Sequence, residues 1–303
     1  MSRALNRLVA AVTCLVFGTG AAAEADVPYG VSFDDVLALG GRPPDHVESY
    51  GAEPTQRLEF WLHTDGARRP LVVLIHGGCW LNAYGVEHLW PLASAVRDAG
   101  FVVLAPEYRR VGDPGGGWPG SLEDVEQAVL DVLERGDEFG FDARNWAIAG
   151  HSAGGHLALL AEQRIRERSF GSEPARMAVG LAAITDPVAY AAGTGSCNAA
   201  TPQFFGGMPD EVPAAYRAGS PVDARRHIPA PGRIVLLQGD ADPIVPMEQA
   251  EVFHFDPPNV GNPGEVVVLE GAAHFDLIHP GTAALPALLD VLDGYLGVPE
   301  GRR

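Results

Sequence analysis

Ser152 stands in the run Gly150-His151-Ser152-Ala153-Gly154, between the apolar stretch 146–150 and a helical pattern that begins at Ala153. A serine hydroxyl is a weak nucleophile until a neighbouring base takes its proton. Glycines on either side let a sharp turn close without Cβ clashes. Gly-x-Ser-x-Gly between a strand and a helix is the pattern of a nucleophile elbow, which lifts the hydroxyl above the edge of a sheet. The helix behind it also points partial positive charge at that spot. The competing reading is a glycine-softened turn in which Ser152 caps the helix. A base, an acid and anion-stabilising N–H groups elsewhere in the chain would separate the two.

The chain has ten histidines. His151 and His156 lie beside the serine, but an elbow points them away from its hydroxyl, so both read as structural. His254, in "AEVFHF", reads as helix packing, and His279, before Pro280, as a loop or cap residue. His274, in "EGAAHFDLI", follows an apolar β-branched run, at the sheet edge where open α/β sheets collect catalytic groups. It is the expected base. The stretch "LLQGDADPIVP" offers Asp240 and Asp242 to orient that base. Asp242, projecting before Pro243, is the expected acid, and Asp240, after Gly239, is read as shaping the turn. In "LIHGGCW" a strand ends in two glycines, whose N–H groups can turn toward a developing negative charge. Gly78 and Cys79, with the N–H of Ala153, are the expected oxyanion donors.

Other chemistries fall away. All 21 basic residues are arginine. Without lysine there is no Schiff base, no pyridoxal attachment, no Walker-type phosphate loop and no Ser-Lys dyad. His76, Asp242 and His274 could supply zinc ligands, but no His-Glu-x-x-His helix or cysteine cluster supports a metal. No cofactor or metal is expected. The formal net charge is −18. A chain this acidic repels phosphate backbones and anionic lipid, which speaks against nucleic acid as a partner.

The elements that must position these groups follow from periodicity. The chain has 303 residues, 47% hydrophobic and 20% charged, enough for one sizeable core. Residues 1–23 read as a signal peptide: Arg3 and Arg7, a short apolar core, then small residues around Ala23. The core is shorter than the ~20 residues that a membrane span needs, so stable insertion is not expected and the mature protein reads as periplasmic or secreted. Cleavage would leave Cys79 and Cys197, either paired in an oxidising compartment or buried as separate thiols. Residues 24–56 read as an irregular acidic lead.

From residue 57 onward, strands and helices alternate. "RLEFWLH" suits a half-buried strand, 71–76, 101–108 and 146–150 suit buried ones, and 177–185, 233–239 and 265–271 are three more strands. Helices are expected at 85–100, 121–140, 154–168, about 246–254 and 282–296. Ser121 and Asp124 resemble a capping box for the second of these, and Val125, Val129, Val132 and Leu133 form its apolar stripe. Steady alternation means an α/β fold, a mostly parallel sheet with helices on both faces. Residues 187–231, rich in Gly and Pro, are too long for a simple connection and read as a lid-like insertion. Trp80, Tyr84 and Trp118 fall in loops at the C-terminal edge, and Phe204 and Phe205 in the insertion. They would wall a compact apolar pocket if the insertion folds over Ser152, or else pack among themselves.

Ser152, Asp242, His274 is the chain order of the α/β-hydrolase triad. Across residues 57–296 the sequence resembles the α/β-hydrolase superfamily, in its carboxylesterase and kynurenine-formamidase-like (BD-FAE-like) branch. The resemblance rests on "HGGCW", "APEYRRVGDPGGGWPGSLEDV", "GHSAGGHLALL", "GDADPIVP" and "GAAHFDLI". It implies Ser152 as nucleophile, Asp242 as acid, His274 as base, and Gly78, Cys79 and Ala153 as oxyanion donors. Lipase-like members carry a third glycine where this chain has Cys79, and formamidases an aromatic. The expected activity is hydrolysis of a small-molecule ester or activated amide through an acyl-enzyme. Formamide or peptide hydrolysis on the same triad is the alternative within enzymes, and a silent binding module the alternative outside them.

Overall fold

The computed structural model describes residues 27–168, 177–225, 233–255 and 264–297. The segment read as a signal peptide lies outside the described residues.

Eight strands form one sheet: β1 (His46–Ser49), β2 (Arg57–Trp61), β3 (Arg69–Ile75), β4 (Val102–Pro106), β5 (Phe141–His151), β6 (Met177–Leu181), β7 (Arg233–Gly239) and β8 (Glu265–Leu269). Their spatial order is β1-β2-β4-β3-β5-β6-β7-β8. β1 pairs antiparallel with β2, and β2 with β4; every later pairing is parallel. This is the α/β-hydrolase fold. The continuous apolar runs become the central strands because both their faces are covered: Leu71 to Val73 and Ala147 to Ala149 have no accessible surface. Each such valine or leucine contributes roughly 1.5–3 kcal/mol of burial.

The helices are α1 (Phe33–Ala38), α2 (Trp90–Asp98), α3 (Gly120–Leu133), α4 (Gly136–Phe139), α5 (Ala153–Arg168), α6 (Pro187–Ala191), α7 (Ser196–Phe205), α8 (Pro213–Ala218), α9 (Pro221–Arg225), α10 (Glu248–Phe255) and α11 (Ala284–Leu296). α2, α5, α10 and α11 pack against the strands, and α3 packs against α5. Among the described residues no helix is long and apolar enough to cross a membrane.

Four local expectations are corrected. The lead is not irregular: Ser32 and Asp35 close a capping box on α1, and β1 pairs with β2. β2 is buried on both faces, because Glu59 turns inward and accepts from Arg57 Nε and Trp90 Nε1, both at 2.8 Å. The expected helix at 85–100 opens as a 3-10 turn, Val86–Leu89, before α2. Ser121 and Asp124 do not cap α3, whose N-cap is Pro119. Asp124 instead accepts from Gln56 Nε2 and from the Arg109 backbone and guanidinium at 2.6–2.9 Å. A buried carboxylate takes the strongest donors within reach, and here those are a guanidinium and an amide from other elements.

Parallel strands leave their C-terminal ends along one edge, so the residues following β3, β5, β7 and β8 share that edge. The segment between β6 and β7 forms the four short helices α6 to α9 beside it.

Candidate active site

β5 ends at His151 and α5 begins at Ala153, with Ser152 between them at φ 56°. That left-handed backbone costs a non-glycine residue roughly 1–2 kcal/mol. It is held by Ser152 N–H donating to the Leu181 carbonyl at 2.9 Å and by His156 N–H donating to the Ser152 carbonyl at 3.1 Å. Gly150 and Gly154 are required by space: a Cβ on Gly150 would collide with the Gly154 carbonyl, and one on Gly154 with the Ile75 and His76 carbonyls. The pentad therefore packs the start of α5 directly on the end of β3.

The loop after β3 carries three consecutive residues at positive φ: Gly78 (100°), Cys79 (52°) and Trp80 (58°). It lies against the serine, since a Cβ on Gly77 would sit 2.8 Å from the His151 carbonyl oxygen and 3.2 Å from Ser152 Cβ. A buried polar network supports its base. His76 donates to the Gly77 carbonyl at 2.9 Å and to Glu107 at 2.7 Å, and Tyr108 OH donates to the His76 carbonyl at 2.9 Å. Burial alone would raise the Glu107 carboxyl, but His76, Arg110 and the Val86 N–H outweigh it and hold it at about 2. Further along, Cys79 is disulfide-bonded to Cys197 of α7, their Cα atoms 5.0 Å apart. Trp80 Nε1 donates to His156 Nδ1 at 3.3 Å.

His274 opens a 3-10 turn, His274–Ile278, five residues after β8. Its Nδ1–H donates to Asp242 Oδ2 at 2.7 Å. The neutral ring thus presents the Nε2 lone pair, as a general base must. Asp242 Oδ1 accepts from the Ile244 and Val245 N–H groups at 2.7 and 2.9 Å. Both Asp242 and His274 are buried. Asp240 is exposed and accepts from Gly271 N–H at 2.6 Å, joining the turns after β7 and β8.

Sequence reasoning missed three contributors. His151, read as merely structural, donates from Nε2 to the His274 carbonyl at 3.0 Å, with the two rings 4.4 Å apart. Burial first, then the nearby His274, lowers its pKa well below the ordinary histidine value. Asp276, fully buried, accepts from the Gly30, Val31 and Ala273 N–H groups at 2.6–3.0 Å and ties the lead segment to the His274 turn. Phe33 of α1 then lies 5.3 Å from Phe275 and 5.7 Å from Tyr84, ring to ring. Only Asp276 left a signal, a carboxylate two residues after His274.

The aromatic residues divide. Trp80 and Phe204, 0% and 2% exposed, stack on each other at 4.8 Å and meet His156 edge-on, so they have no face open to a ligand. Phe205 packs behind them on Tyr216, and half-buried Trp118 borders Phe204 and Phe205. Tyr84 stays exposed beside Gly78. His254 bonds the Gly264 carbonyl at 3.1 Å, and His279 accepts from Gly281 N–H at 3.1 Å. Among the described residues no three His, Cys, Asp or Glu side chains gather as a metal site requires.

Residues 59–256 match the model of the BD-FAE family. Esterase LipC of Mycobacterium tuberculosis is 29% identical over 219 residues, 67% of this chain and 52% of its own length. Esterase LipQ of the same organism is 28% identical over 295 residues, 93% of this chain and 64% of its own length. The chain therefore spans less than two thirds of either relative. Esterase B from Lactobacillus rhamnosis has a similar fold, with TM-score 0.70, 20% identity and coverage of 87% of this chain and 89% of that one.

Proposed function

The chain belongs to the BD-FAE family, and on that premise we propose that it is a serine hydrolase cleaving small neutral carboxylic esters. The observation that carries this reading is the Asp242–His274 bond of 2.7 Å in a turn whose backbone is bonded to the residue preceding Ser152. Ser152 Oγ attacks the ester carbonyl carbon while His274 Nε2 takes its proton. The N–H groups of Gly78, Cys79 and Ala153 receive the oxyanion. Collapse breaks the bond to the alcohol oxygen, which leaves with the proton from His274. Water attacks the acyl-enzyme, again giving its proton to His274, and the acid departs as Ser152 is restored. Asp242 keeps the imidazole in the required tautomer and stabilises the imidazolium.

Half-buried Phe33, ring to ring with exposed Tyr84 and half-buried Phe275, favours a short acyl or aryl ester over a long lipid chain. Export to the periplasm or beyond fits the Cys79–Cys197 disulfide, since such bonds persist in oxidising compartments.

Labelling with a fluorophosphonate and turnover of p-nitrophenyl acetate test the reading together. Wild type should label and turn over, and Ser152→Ala should do neither, losing about 10⁴- to 10⁶-fold in rate. Turnover by Ser152→Ala within tenfold of wild type overturns it.

A further inference from the structure

The segment between β6 and β7 is fastened at four separate points to helix α5 and the loops around Ser152. Cys197 of α7 is bonded covalently to Cys79. The Gly219 carbonyl accepts from His156 Nε2 at 2.7 Å, and the other nitrogen of that ring receives Trp80 Nε1–H. The Phe204 carbonyl accepts from Trp118 N–H at 2.8 Å. Tyr190 OH donates at 3.0 Å to the carbonyl of Ile244, the residue whose N–H holds Asp242. A lid that opened would have to break these together, and one of them is covalent.

The first attachment falls on Cys79, and the second reaches the next residue, Trp80, through the His156 ring; Cys79 and Trp80 are both in the left-handed backbone region that L side chains resist. Left to itself, such a pair relaxes toward negative φ and turns its N–H groups elsewhere. Here each side chain is tied down outside the loop. Trp80 is sealed between His156 and Phe204, and Cys79 is cross-linked to the helix that bears Phe204. The linked cysteines are 118 positions apart, so the bond fixes elements that have no local reason to stay in register.

We propose that residues 187–225 are a fixed buttress rather than a moving lid, and that Cys197 is a positioning residue that holds the Cys79 N–H toward the oxyanion. The catalytic part of this proposal rests on the hydrolase reading above. The mechanical part does not.

The test uses the whole protein, wild type beside Cys197→Ala. Cys197→Ala should lower kcat on p-nitrophenyl acetate by about tenfold to hundredfold with KM within about twofold, because the donor acts on the transition state. Hydrogen exchange of residues 77–82 should quicken. Should Cys197→Ala not accumulate, wild type reduced with a phosphine provides the same comparison. A Cys197→Ala protein that melts earlier but keeps wild-type kcat and unchanged exchange at 77–82 overturns the proposal: the bond would then be a plain staple. A wild type that hydrolyses no ester, while exchange at 77–82 still quickens in the variant, overturns the esterase reading and supports the buttress.

Discussion

His151 grips the main chain of His274: its Nε2–H donates to the His274 carbonyl across 3.0 Å, and the two rings lie 4.4 Å apart. β5 and β8 are three strands apart in the sheet, roughly 14 Å at 4.7–4.9 Å per strand. The loop after β8 closes that gap, and His151 fixes where it ends. With Nε2 donating, the neutral ring leaves Nδ1 as a bare acceptor, and that atom is buried without a partner.

Replacing His151 should therefore impair turnover without touching the substrate. His151→Phe keeps an aromatic ring, a somewhat larger one, and strands the His274 carbonyl without its donor. We expect kcat to fall by about tenfold, in line with the sensitivity of rate to small misplacements of the base, with KM little changed. An unchanged kcat in a variant as stable as wild type would show that the turn positions itself.

The two neighbouring carboxylates should separate sharply. Asp242 holds the imidazole and is itself held by two N–H groups, whereas Asp240 only accepts from Gly271 N–H at the surface. Asp242→Asn should cost about 10³- to 10⁴-fold in kcat, because the amide favours the wrong tautomer. Asp240→Asn should stay within about threefold of wild type, as surface changes usually do. Steady-state kinetics of the two variants side by side would reverse the assignment if Asp240→Asn were the slower.

Phe33 should govern ester preference. It spans Phe275, next to the base, and Tyr84, next to Gly78. Phe33→Ala removes one wall and should raise KM for p-nitrophenyl butyrate about threefold to tenfold, the range for losing part of an apolar contact, while acetate changes less. Equal effects on both esters would place Phe33 outside the substrate's reach.

Stability should fall in mild acid. Burial, with a lesser push from His76 on His88, holds His88 at about 3 and His156 at about 4, against 6.5 for an ordinary histidine. Below 6.5 the unfolded chain binds more protons than the folded one, so this stabilisation is complete above pH 6.5 and is lost as pH falls toward 4. Glu107, held at about 2 against 4.5, adds a loss of the same sign between pH 4.5 and 2. Lowering the pH also relaxes the repulsion of a −18 chain, so the comparison needs a control. Urea unfolding of wild type against His156→Gln at pH 7, 6 and 5 isolates one histidine. Wild type should lose up to about 1.4 kcal/mol more per pH unit than the variant. Parallel curves would mean that His156 titrates alike in both states.

The types and chain order of the site residues were legible because each belongs to a local pattern. A strand shows as a continuous apolar run, an elbow as glycines at fixed offsets, and a catalytic position as a polar residue just past a strand's end. Ser152, Asp242 and His274 were all proposed in that way, and parallel strands put the three at one edge of the sheet. What lay beyond local pattern was decided by packing. Asp124 looked like a cap partner for Ser121 and became the anchor of Arg109, which comes from another element. The lead looked irregular, yet Gly30 reaches Asp276 across 246 positions. Trp80 looked like a pocket wall and is sealed beneath Phe204. For Cys79 and Cys197 the export reading allowed a bond or two separate thiols, since spacing does not encode proximity, and the fold decided for the bond. Periodicity and turn chemistry are written in residues a few positions apart, whereas a buried donor's partner is whichever group the completed sheet order and helix packing bring within 3 Å.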